Sequence, residues 1–256
     1  MSNSLNIFGR EIPLYGLCFF AGMVIAALVA FPLAKKRKIE FFDLLAIIGY
    51  TLIFSVLGSK LLFILVSFPK IIELKLSLMA ILKGGFVFYG GLLGGFLGIV
   101  LYIKLYHLET DIFDVCATVL PLGHAFGRVG CFFAGCCYGI PHNGFLSVTY
   151  HETVGLTPLE TPLFAIQLVE AVFLLLLFII MVSIFHHAKK GIPTFLYLIL
   201  YSILRFALEF FRGDTERGLY FQISTSQWIS ILLFIGGCIG FIYIHKKSSI
   251  WQKQQN

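Results

Sequence analysis

Seven apolar stretches, each long enough to cross a lipid bilayer, limit the fold of this chain more than any other feature. A membrane-spanning helix needs about 20 residues that are mostly apolar. None of the seven alternates polar and apolar residues, as the strands of a membrane barrel do. The sequence therefore predicts an all-α, polytopic integral membrane protein in which residues 1–256 form one domain. The predicted helices cover Leu14–Ala34, Phe41–Phe68, Gly84–Leu105, Ile112–Cys136, Leu163–Phe185, Pro193–Phe211 and Gln227–Ile244.

Charged residues are scarce in this chain, which excludes most soluble functions. They make up 12% of the residues, and the mean hydropathy is +0.93, whereas a soluble domain carries about 25% charge. Lys and Arg exceed Asp and Glu by 19 to 13, a net charge of +6. These basic residues lie between the apolar stretches and do not gather on one surface, so no nucleic-acid partner is expected.

The Lys and Arg residues of the short loops predict the orientation in the membrane. Loops on the cytoplasmic side carry the larger number of basic residues. The first, third and fifth loops and the C-terminal tail together hold ten, and the other side holds six. We therefore expect the N-terminus outside, the C-terminus in the cytoplasm and an outward loop near residues 137–162. The ten are Lys35, Lys36, Arg37, Lys38, Lys104, Lys189, Lys190, Lys246, Lys247 and Lys253, and the six are Arg10, Lys70, Lys75, Lys83, Arg212 and Arg217.

A glycine-rich stretch, Gly84–Gly95, opens the third apolar run. Gly90, Gly94 and Gly98 recur every four residues, a spacing that lets membrane helices approach closely. This pattern predicts a packing seam. Tyr89 stands at the start of the glycine run, where its hydroxyl can reach a polar cavity. The alternative for Tyr89 is a tyrosine of the membrane–water interface.

The stretch Gly123–Gly139 places His124 and Arg128 in an apolar segment. A charge inside a membrane is costly and normally faces a cavity or a partner. The planar guanidinium of Arg128 is suited to binding phosphate, and the neighbouring glycines leave room for a lipid head group. The alternative for Arg128 is a purely structural ion pair. For His124, a hydrogen-bonded position in the protein core is favoured over a ligand role.

Six cysteines raise the question of a metal site or a reactive thiol. Cys131, Cys136 and Cys137 follow His124, but the spacing C-x₄-C-C matches no common zinc motif. Cysteines in apolar helices mostly act as small hydrophobic residues, so no metal is predicted, and Cys136 and Cys137 are expected to pack. Cys131 comes three residues after Arg128 and can share its helical face, which makes it the candidate reactive thiol.

Further polar residues occur within other apolar runs. Arg205 and Glu209 are four residues apart, on one face of a helix, and pairing lowers the cost of both charges in lipid. The alternative is that the two residues form only a structural ion pair. Together with Arg128, the two residues predict a site that binds phosphate and handles protons. The remaining polar candidates are Gln167 and Glu170 in the fifth run and Lys60 in the second.

The order of these motifs along the chain resembles that of the bacterial prolipoprotein diacylglyceryl transferase family. The resemblance covers nearly the whole chain, and the collinear order of the motifs makes it specific. Seven spans with an outside N-terminus are also the topology of that family. The matching elements are Tyr15-Gly16-Leu17, Gly58-Ser59-Lys60-Leu61, Gly84–Gly95, Gly127–Gly139, Gln167-Leu168-Val169-Glu170, Arg205–Arg212 and Ser226-Gln227.

Several positions depart from the family's pattern where it carries chemistry. Tyr89 stands where the family has histidine, and Cys131 and Cys136 stand at asparagine and glutamate positions. Lys60 replaces the usual arginine, and Phe164-Ala165 replaces a His-Pro pair. The resemblance therefore implies that the lipid-phosphate side of the site is kept and the acid/base side is rebuilt. The retained positions are Tyr15, Arg128, Gly139, Gln167, Glu170, Arg205 and Glu209.

The resemblance implies a defined reaction. The family transfers the diacylglyceryl group of phosphatidylglycerol to the lipobox cysteine of a preprolipoprotein, so that a thioether forms and glycerol phosphate leaves. The implied partners are phosphatidylglycerol, or another anionic phospholipid, and a lipobox signal peptide in the bacterial inner membrane. No cofactor and no metal are implied. The implied catalytic residues are Arg128, Arg205, Glu209 and Tyr89, and those implied for substrate binding are Arg128, Tyr15, Lys60, Gly139, Gln167 and Glu170.

Two other interpretations remain open. One is a related membrane enzyme that moves a lipid-derived group to a different acceptor, through Cys131 or Cys136. The other is a relative that binds lipid or peptide without catalysis, or a transporter. Arg128, Arg205 and Glu209 favour an enzyme, whereas the altered histidine, asparagine and glutamate positions favour a changed reaction. The sequence makes no prediction of the oligomeric state.

Overall fold

The computed structural model describes residues 4–7, 10–74, 77–108, 111–153, 157–214 and 218–253. Most of these residues are helical. The helices are α1 (Leu14–Lys36), α2 (Phe41–Glu73), α3 (Leu78–Lys83), α4 (Phe88–Tyr106), α5 (Ile112–Ala134), α6 (Ile166–His187), α7 (Ile192–Leu208) and α8 (Thr225–Lys253). In this described part of the chain, seven helices, all but α3, are long and apolar enough to cross a membrane. The prediction of an all-α polytopic membrane protein is confirmed.

Short strands and one tight turn lie between the long helices. A 3₁₀ turn, Glu209–Phe211, follows α7 within the predicted sixth span. Two isolated antiparallel bridges join Gly139 to Arg212 and Pro141 to Leu163, so the segment after α5 lies beside the end of α7 and the start of α6. The antiparallel hairpins of the described residues pair β1 (Ser4–Ile7) with β2 (Arg10–Pro13), β3 (Ser147–Thr149) with β4 (Pro162–Phe164) and β5 (Leu219–Tyr220) with β6 (Ile223–Ser224).

Several helix boundaries differ from the prediction, and three of them have a clear local reason. α4 begins later than predicted, at Phe88, because Gly84 donates its N–H to the last turn of α3 and ends that helix. α5 ends before the predicted Cys136, because Gly135 adopts a left-handed conformation with φ of 66°, a common way to stop a helix. α6 begins after the predicted Leu163, because that residue pairs within the hairpin of β3 and β4.

The chain divides into two compact units, residues 1–30 with 111–256 and residues 31–110. In the second unit, α2 and α4 pack along the predicted glycine seam. A Cβ added at Gly94 would overlap the carbonyl of Phe54, and one added at Gly98 would lie 2.7 Å from the carbonyl oxygen of Tyr50. The backbones therefore approach too closely for any side chain, which confirms the packing seam.

The interior of the first unit lies where α5, α6 and α7 meet. Small residues on α5 and α6 face each other there, and aromatic rings of α7 fill the space beside them. Such contacts between small and large side chains are how membrane helices associate. The buried residues of the two clusters are Ala117, Leu177, Met181 and Tyr197, and Ala125, Ala171 and Leu174.

Asp114, buried on α5, holds the start of α7. Its Oδ2 accepts a hydrogen bond from the Gly191 N–H at 2.8 Å. Its Oδ1 accepts from the N–H and the hydroxyl of Thr194 at 3.2 and 2.6 Å. A carboxylate in this place satisfies N–H groups that a helix start leaves unpaired and meets the positive end of the helix dipole. The buried acid therefore has a structural role.

A capping box begins α8. The Ser224 hydroxyl accepts a hydrogen bond from the Gln227 N–H at 3.2 Å, and the Gln227 carboxamide oxygen accepts from the Ser224 N–H at 3.0 Å. This reciprocal arrangement satisfies two donors at the helix start. The glutamine of the Ser226-Gln227 element thus fixes the entry of the chain into α8.

The predicted single domain, the outward loop near residues 137–162 and the orientation in the membrane stay predictions. Two of the basic residues behind the orientation, Lys75 and Arg217, lie outside the described residues. Residues 154–156 of the predicted loop also lie outside them.

Candidate active site

Arg128 and Glu170 form an ion pair inside the first unit. Arg128 projects from α5, and its Nε lies 3.0 Å from Oε1 of Glu170 on α6. The side chains are 12% and 3% exposed, so both charged groups are largely buried. Because an unpaired buried charge is very costly, each residue lowers the cost of burying the other.

His124 lies one helical turn before Arg128 and touches it. The Nε of Arg128 donates a hydrogen bond to Nε2 of His124 at 3.2 Å, so this ring nitrogen carries no proton and the imidazole is neutral. The predicted hydrogen-bonded core histidine is confirmed. Both contacts of Arg128 use Nε, and among the described residues its two Nη groups have no hydrogen-bond partner. The outer edge of the guanidinium therefore keeps its donors for a ligand.

Arg205 and Glu209 form the ion pair that their spacing predicts. Nη2 of Arg205 lies 2.8 Å from Oε2 of Glu209, with 9% and 3% of the side chains exposed. The same nitrogen donates to the Ser226 hydroxyl at the start of α8, at 3.0 Å. Nη1 of Arg205 is buried, and among the described residues it has no hydrogen-bond partner. A second guanidinium thus keeps an unused donor inside the protein.

The arginines of the first unit share one electrostatic environment. The ring of His124 lies within electrostatic reach of Arg128, Arg205 and Arg212. It also contacts the ring of Tyr201 on α7, with 5.8 Å between the ring centroids. Each of these three guanidinium groups has a carboxylate partner, so the site offers a phosphate unused N–H donors and not a net positive charge.

Gln167 braces the chain reversal that follows α5. Its carboxamide nitrogen donates to the carbonyl of Cys136 at 2.8 Å and to the hydroxyl of Tyr150 at 3.4 Å. Tyr150 is fully buried, and this burial raises the pKa of its phenol to about 12, so the hydroxyl stays neutral. The contacts give Gln167 a positioning role, and its predicted part in substrate binding stays a prediction.

Gly139 and Arg212 lie side by side in an antiparallel bridge. A Cβ at Gly139 would overlap the carbonyl of Phe164, so only glycine fits this close approach. Arg212 donates to both carboxylate oxygens of Asp214, from Nε at 3.1 Å and from Nη2 at 2.7 Å. Burial disfavours the charge of Arg212, but the bond to Asp214 outweighs it and raises the pKa of the guanidinium.

Sequence reasoning did not include Arg212 among the site residues. It entered only as a loop charge and as the last residue of the Arg205–Arg212 element. The sequence feature that could have identified Arg212 is its separation from Arg205. Seven residues are close to two helical turns, which places both residues near one helical face. The 3₁₀ turn after α7 and the bridge to Gly139 then carry Arg212 toward the end of α5.

Tyr15 lies at the start of α1 and packs on α5. A Cβ at Gly130 would lie 3.2 Å from the Tyr15 ring and from its carbonyl oxygen. The ring also stacks on Phe19, with 6.3 Å between centroids. Tyr15 is 44% exposed, so the side chain borders the surface next to the helix that carries Arg128. Its role in substrate binding stays a prediction.

Lys60 and Tyr89 belong to the second unit. The ammonium of Lys60 donates to the carbonyls of Ile81, Gly84 and Gly85 at 3.2, 2.9 and 3.3 Å, which holds the turn between α3 and α4. Tyr89 is 39% exposed in the first turn of α4. The contacts of Lys60 give it a structural role in this unit, and the predicted substrate role of each residue stays a prediction.

Three cysteines meet where α5 ends. The sulfur atoms of Cys131, Cys136 and Cys137 all lie within 4.8 Å of one another. Each residue is partly buried, and all are free thiols. The predicted packing role of Cys136 and Cys137 and the predicted reactivity of Cys131 stay predictions. The structure adds that the three thiols form one cluster.

Comparison with known proteins identifies the family. The profile of the family described as prolipoprotein diacylglyceryl transferase matches residues 3–243. The chain belongs to this family. Relatives include phosphatidylglycerol–prolipoprotein diacylglyceryl transferase 2 of Clostridium perfringens (strain 13 / Type A), 33% identical over 91% of this chain and 91% of the relative.

Two further relatives of the transferase family carry the same description. The phosphatidylglycerol–prolipoprotein diacylglyceryl transferase of Clostridium tetani (strain Massachusetts / E88) is 34% identical over 92% of this chain and 94% of its own length. That of Prochlorococcus marinus (strain MIT 9301) is 30% identical over 98% and 95%. The similarity therefore extends over nearly the whole chain, as the collinear motifs predict.

Proposed function

We propose that this chain transfers the diacylglyceryl group of phosphatidylglycerol to the thiol of a lipobox cysteine in a preprolipoprotein, in the bacterial inner membrane. Its family and the names of its relatives support this transfer. A bond forms between the thiolate sulfur and the terminal carbon of the diacylglyceryl group. The bond from that carbon to the phosphate oxygen breaks, and glycerol phosphate leaves with the electron pair.

The two buried arginines with unused donors are the observation that best supports this function. Arg128 is held through Nε by Glu170 and His124, so its Nη groups are available to a phosphate oxygen. Arg205 is held through Nη2 by Glu209 and Ser226, so Nη1 is available. Donors fixed in advance in a dry site stabilise a leaving phosphate strongly, because they need no reorganisation during the reaction.

Each arginine of this part of the protein pairs with one carboxylate, and Arg212 pairs with Asp214. The site therefore offers a phosphate unused guanidinium donors and not a net positive charge. Glu209 holds the guanidinium of Arg205 in position through their contact at 2.8 Å. Tyr89 stands at the family's histidine position and would donate to the lipid. A phenol is a weak base near neutrality, because its ordinary pKa is about 10.

The test uses the full chain, purified in detergent, with phosphatidylglycerol and a peptide that carries a lipobox cysteine. We expect glycerol phosphate to be released and the peptide mass to increase by one diacylglyceryl group. The control is the same peptide with serine in place of the cysteine, which should stay unmodified. Phospholipid consumption without modification of the lipobox peptide would favour transfer to a different acceptor, the alternative that Tyr89 and Cys131 support.

A further inference from the structure

The chain reversal after α5 brings together three thiols that the sequence spacing separates. Cys131 lies in the last turn of α5, and Gly135 ends the helix with φ of 66°. Cys136 then donates its N–H back to the Cys131 carbonyl at 3.1 Å. Cys137 also adopts a left-handed conformation, with φ of 56°. Two left-handed residues in this short segment turn all three sulfur atoms into one space.

A left-handed backbone at Cys137 is unfavourable for a residue with a side chain and persists only where the surroundings hold it. Here they do. The Gly135 carbonyl accepts hydrogen bonds from the hydroxyls of Thr153, at 2.9 Å, and Thr157. The Cys136 carbonyl accepts from Gln167. The reversal is therefore built by several contacts, and strained residues of this kind concentrate at binding and catalytic sites.

We propose that Cys131, Cys136 and Cys137 bind one thiophilic divalent cation of the zinc class. A Zn–S bond of about 2.3 Å in a tetrahedral site places the sulfur atoms roughly 3.8 Å apart. The three sulfur atoms already lie within 4.8 Å of one another, close to the spacing that such a site needs. Thiolates are the protein ligands that select soft and borderline metals over magnesium or calcium.

The metal itself neutralises most of the charge of three thiolates. Three thiolates and one divalent cation carry a net charge of −1. The ion pairs of Arg128 with Glu170 and of Arg212, which is bridged to Gly139, keep the surroundings polar, whereas a purely apolar membrane interior would disfavour such a charge.

Three protein ligands leave one coordination position of a tetrahedral zinc ion open, as in catalytic zinc sites. Resting on the proposed function, we place the lipobox thiol of the substrate in that position. A thiol that coordinates zinc loses its proton, here to water, and its thiolate then attacks the diacylglyceryl carbon while glycerol phosphate leaves. The metal would supply the deprotonation for which Tyr89, in place of the family's histidine, is poorly suited.

The metal site is tested on the intact chain, reduced, stripped of metal and kept in detergent. Cd²⁺ serves as the probe, because its thiolate complexes absorb in the ultraviolet. We expect one equivalent to bind. Ser substitution at Cys131, Cys136 or Cys137 should weaken binding by more than the roughly 10- to 100-fold that loss of an outer-shell partner costs. Cys238→Ser on α8 is the matched control and should bind as the wild type does.

A second measurement on the wild type does not depend on how the variants fold. Comparison of the stripped protein with and without Zn²⁺ should show that the metal protects Cys131, Cys136 and Cys137 from a small maleimide, as read by intact mass and peptide mapping. Absence of stoichiometric Cd²⁺ binding, protection of other cysteines, or a disulfide within the cluster after preparation under reducing conditions would overturn the metal site.

Transferase activity separates the metal site from the proposed function. Zn²⁺ restored to the stripped protein should raise glycerol phosphate release about tenfold or more, because the bound metal generates the nucleophile at neutral pH. Full activity of the stripped protein would overturn the role of the metal in the reaction. Stoichiometric Cd²⁺ binding by a chain that modifies no lipobox peptide would support the metal site and contradict the proposed function.

Discussion

At the scale of single residues, the site depends on how each buried guanidinium divides its donors. Arg128 uses Nε for Glu170 and His124, and Arg205 uses Nη2 for Glu209 and Ser226. The protein thus satisfies part of each cation and leaves the rest for a ligand. A lysine has no such planar fork, because its ammonium is a single point of charge.

We predict that Arg128→Ala lowers glycerol phosphate release by about 100- to 1,000-fold, the range seen when one donor to a developing anion is removed. Arg128→Lys should restore little, because one ammonium cannot serve both Glu170 and a phosphate. Lys189→Ala, at an exposed loop position, is the matched control. A near-normal rate in Arg128→Ala would reduce this residue to a structural role.

We predict that Arg205 and Glu209 act as one unit. Arg205→Gln or Glu209→Gln leaves the other charge buried without its partner, which costs about 3–5 kcal/mol for a buried pair. The double variant should be little worse than the worse single variant. Activity and thermal unfolding of the four proteins in this cycle measure the coupling, and fully additive losses would mean that the two residues do not interact.

At the scale of helices, packing and capping follow different rules. The contact of α2 with α4 depends on glycines, which have no side chain, whereas the start of α7 depends on the carboxylate of one aspartate from α5. Gly94 leaves room for the Phe54 carbonyl, and Asp114 accepts hydrogen bonds from Gly191 and Thr194. Each can be tested by a single substitution with a control variant.

We predict that Gly94→Ala destabilises the protein by about 1–3 kcal/mol, because overpacking forces the two backbones apart. Gly49→Ala is the control, because an added Cβ at Gly49 on α2 meets nothing within 4 Å. Thermal unfolding in detergent measures both. Equal stability of the two variants would contradict the close approach of α2 and α4.

We predict that Asp114→Asn lowers the free energy of unfolding by about 1.5–3 kcal/mol, the contribution of a hydrogen bond to a charged group. The amide keeps the shape but supplies one acceptor atom instead of two. Glu160→Gln is the control: its contact with His151, at 2.7 Å, is exposed on both sides and contributes about 0–1 kcal/mol. The prediction fails if thermal unfolding shows equal losses.

At the scale of the whole molecule, the remaining question is which face of the membrane each loop occupies. The ten-to-six asymmetry of basic residues predicts a cytoplasmic tail and first loop. A cysteine tag in either place should be shielded from an impermeant reagent added outside intact cells, and a tag at Asn143 should react. The chain without a tag is the control, because it reports the labelling of the native cysteines. Labelling of the tail from outside would contradict the orientation.

The sequence alone determined the seven helices, the glycine seam and the pairing of Arg205 with Glu209. Hydropathy needs only the residues of one stretch, and the other two patterns need neighbours three or four residues apart on one helix. Such local information is complete in the sequence. The order of the motifs, from Tyr15 to Gln227, also identified the family without any knowledge of the contacts.

Only the tertiary structure decided which distant residues complete the site. Glu170 reaches Arg128 from another helix, and Asp114 caps α7 across a long separation in sequence. The cysteine cluster depends on left-handed conformations at Gly135 and Cys137. The spacing C-x₄-C-C indicated no metal site, because a spacing motif predicts where side chains meet only on a regular helix or in a familiar turn. It does not describe a chain that reverses through two left-handed residues held by hydrogen bonds from elsewhere in the fold.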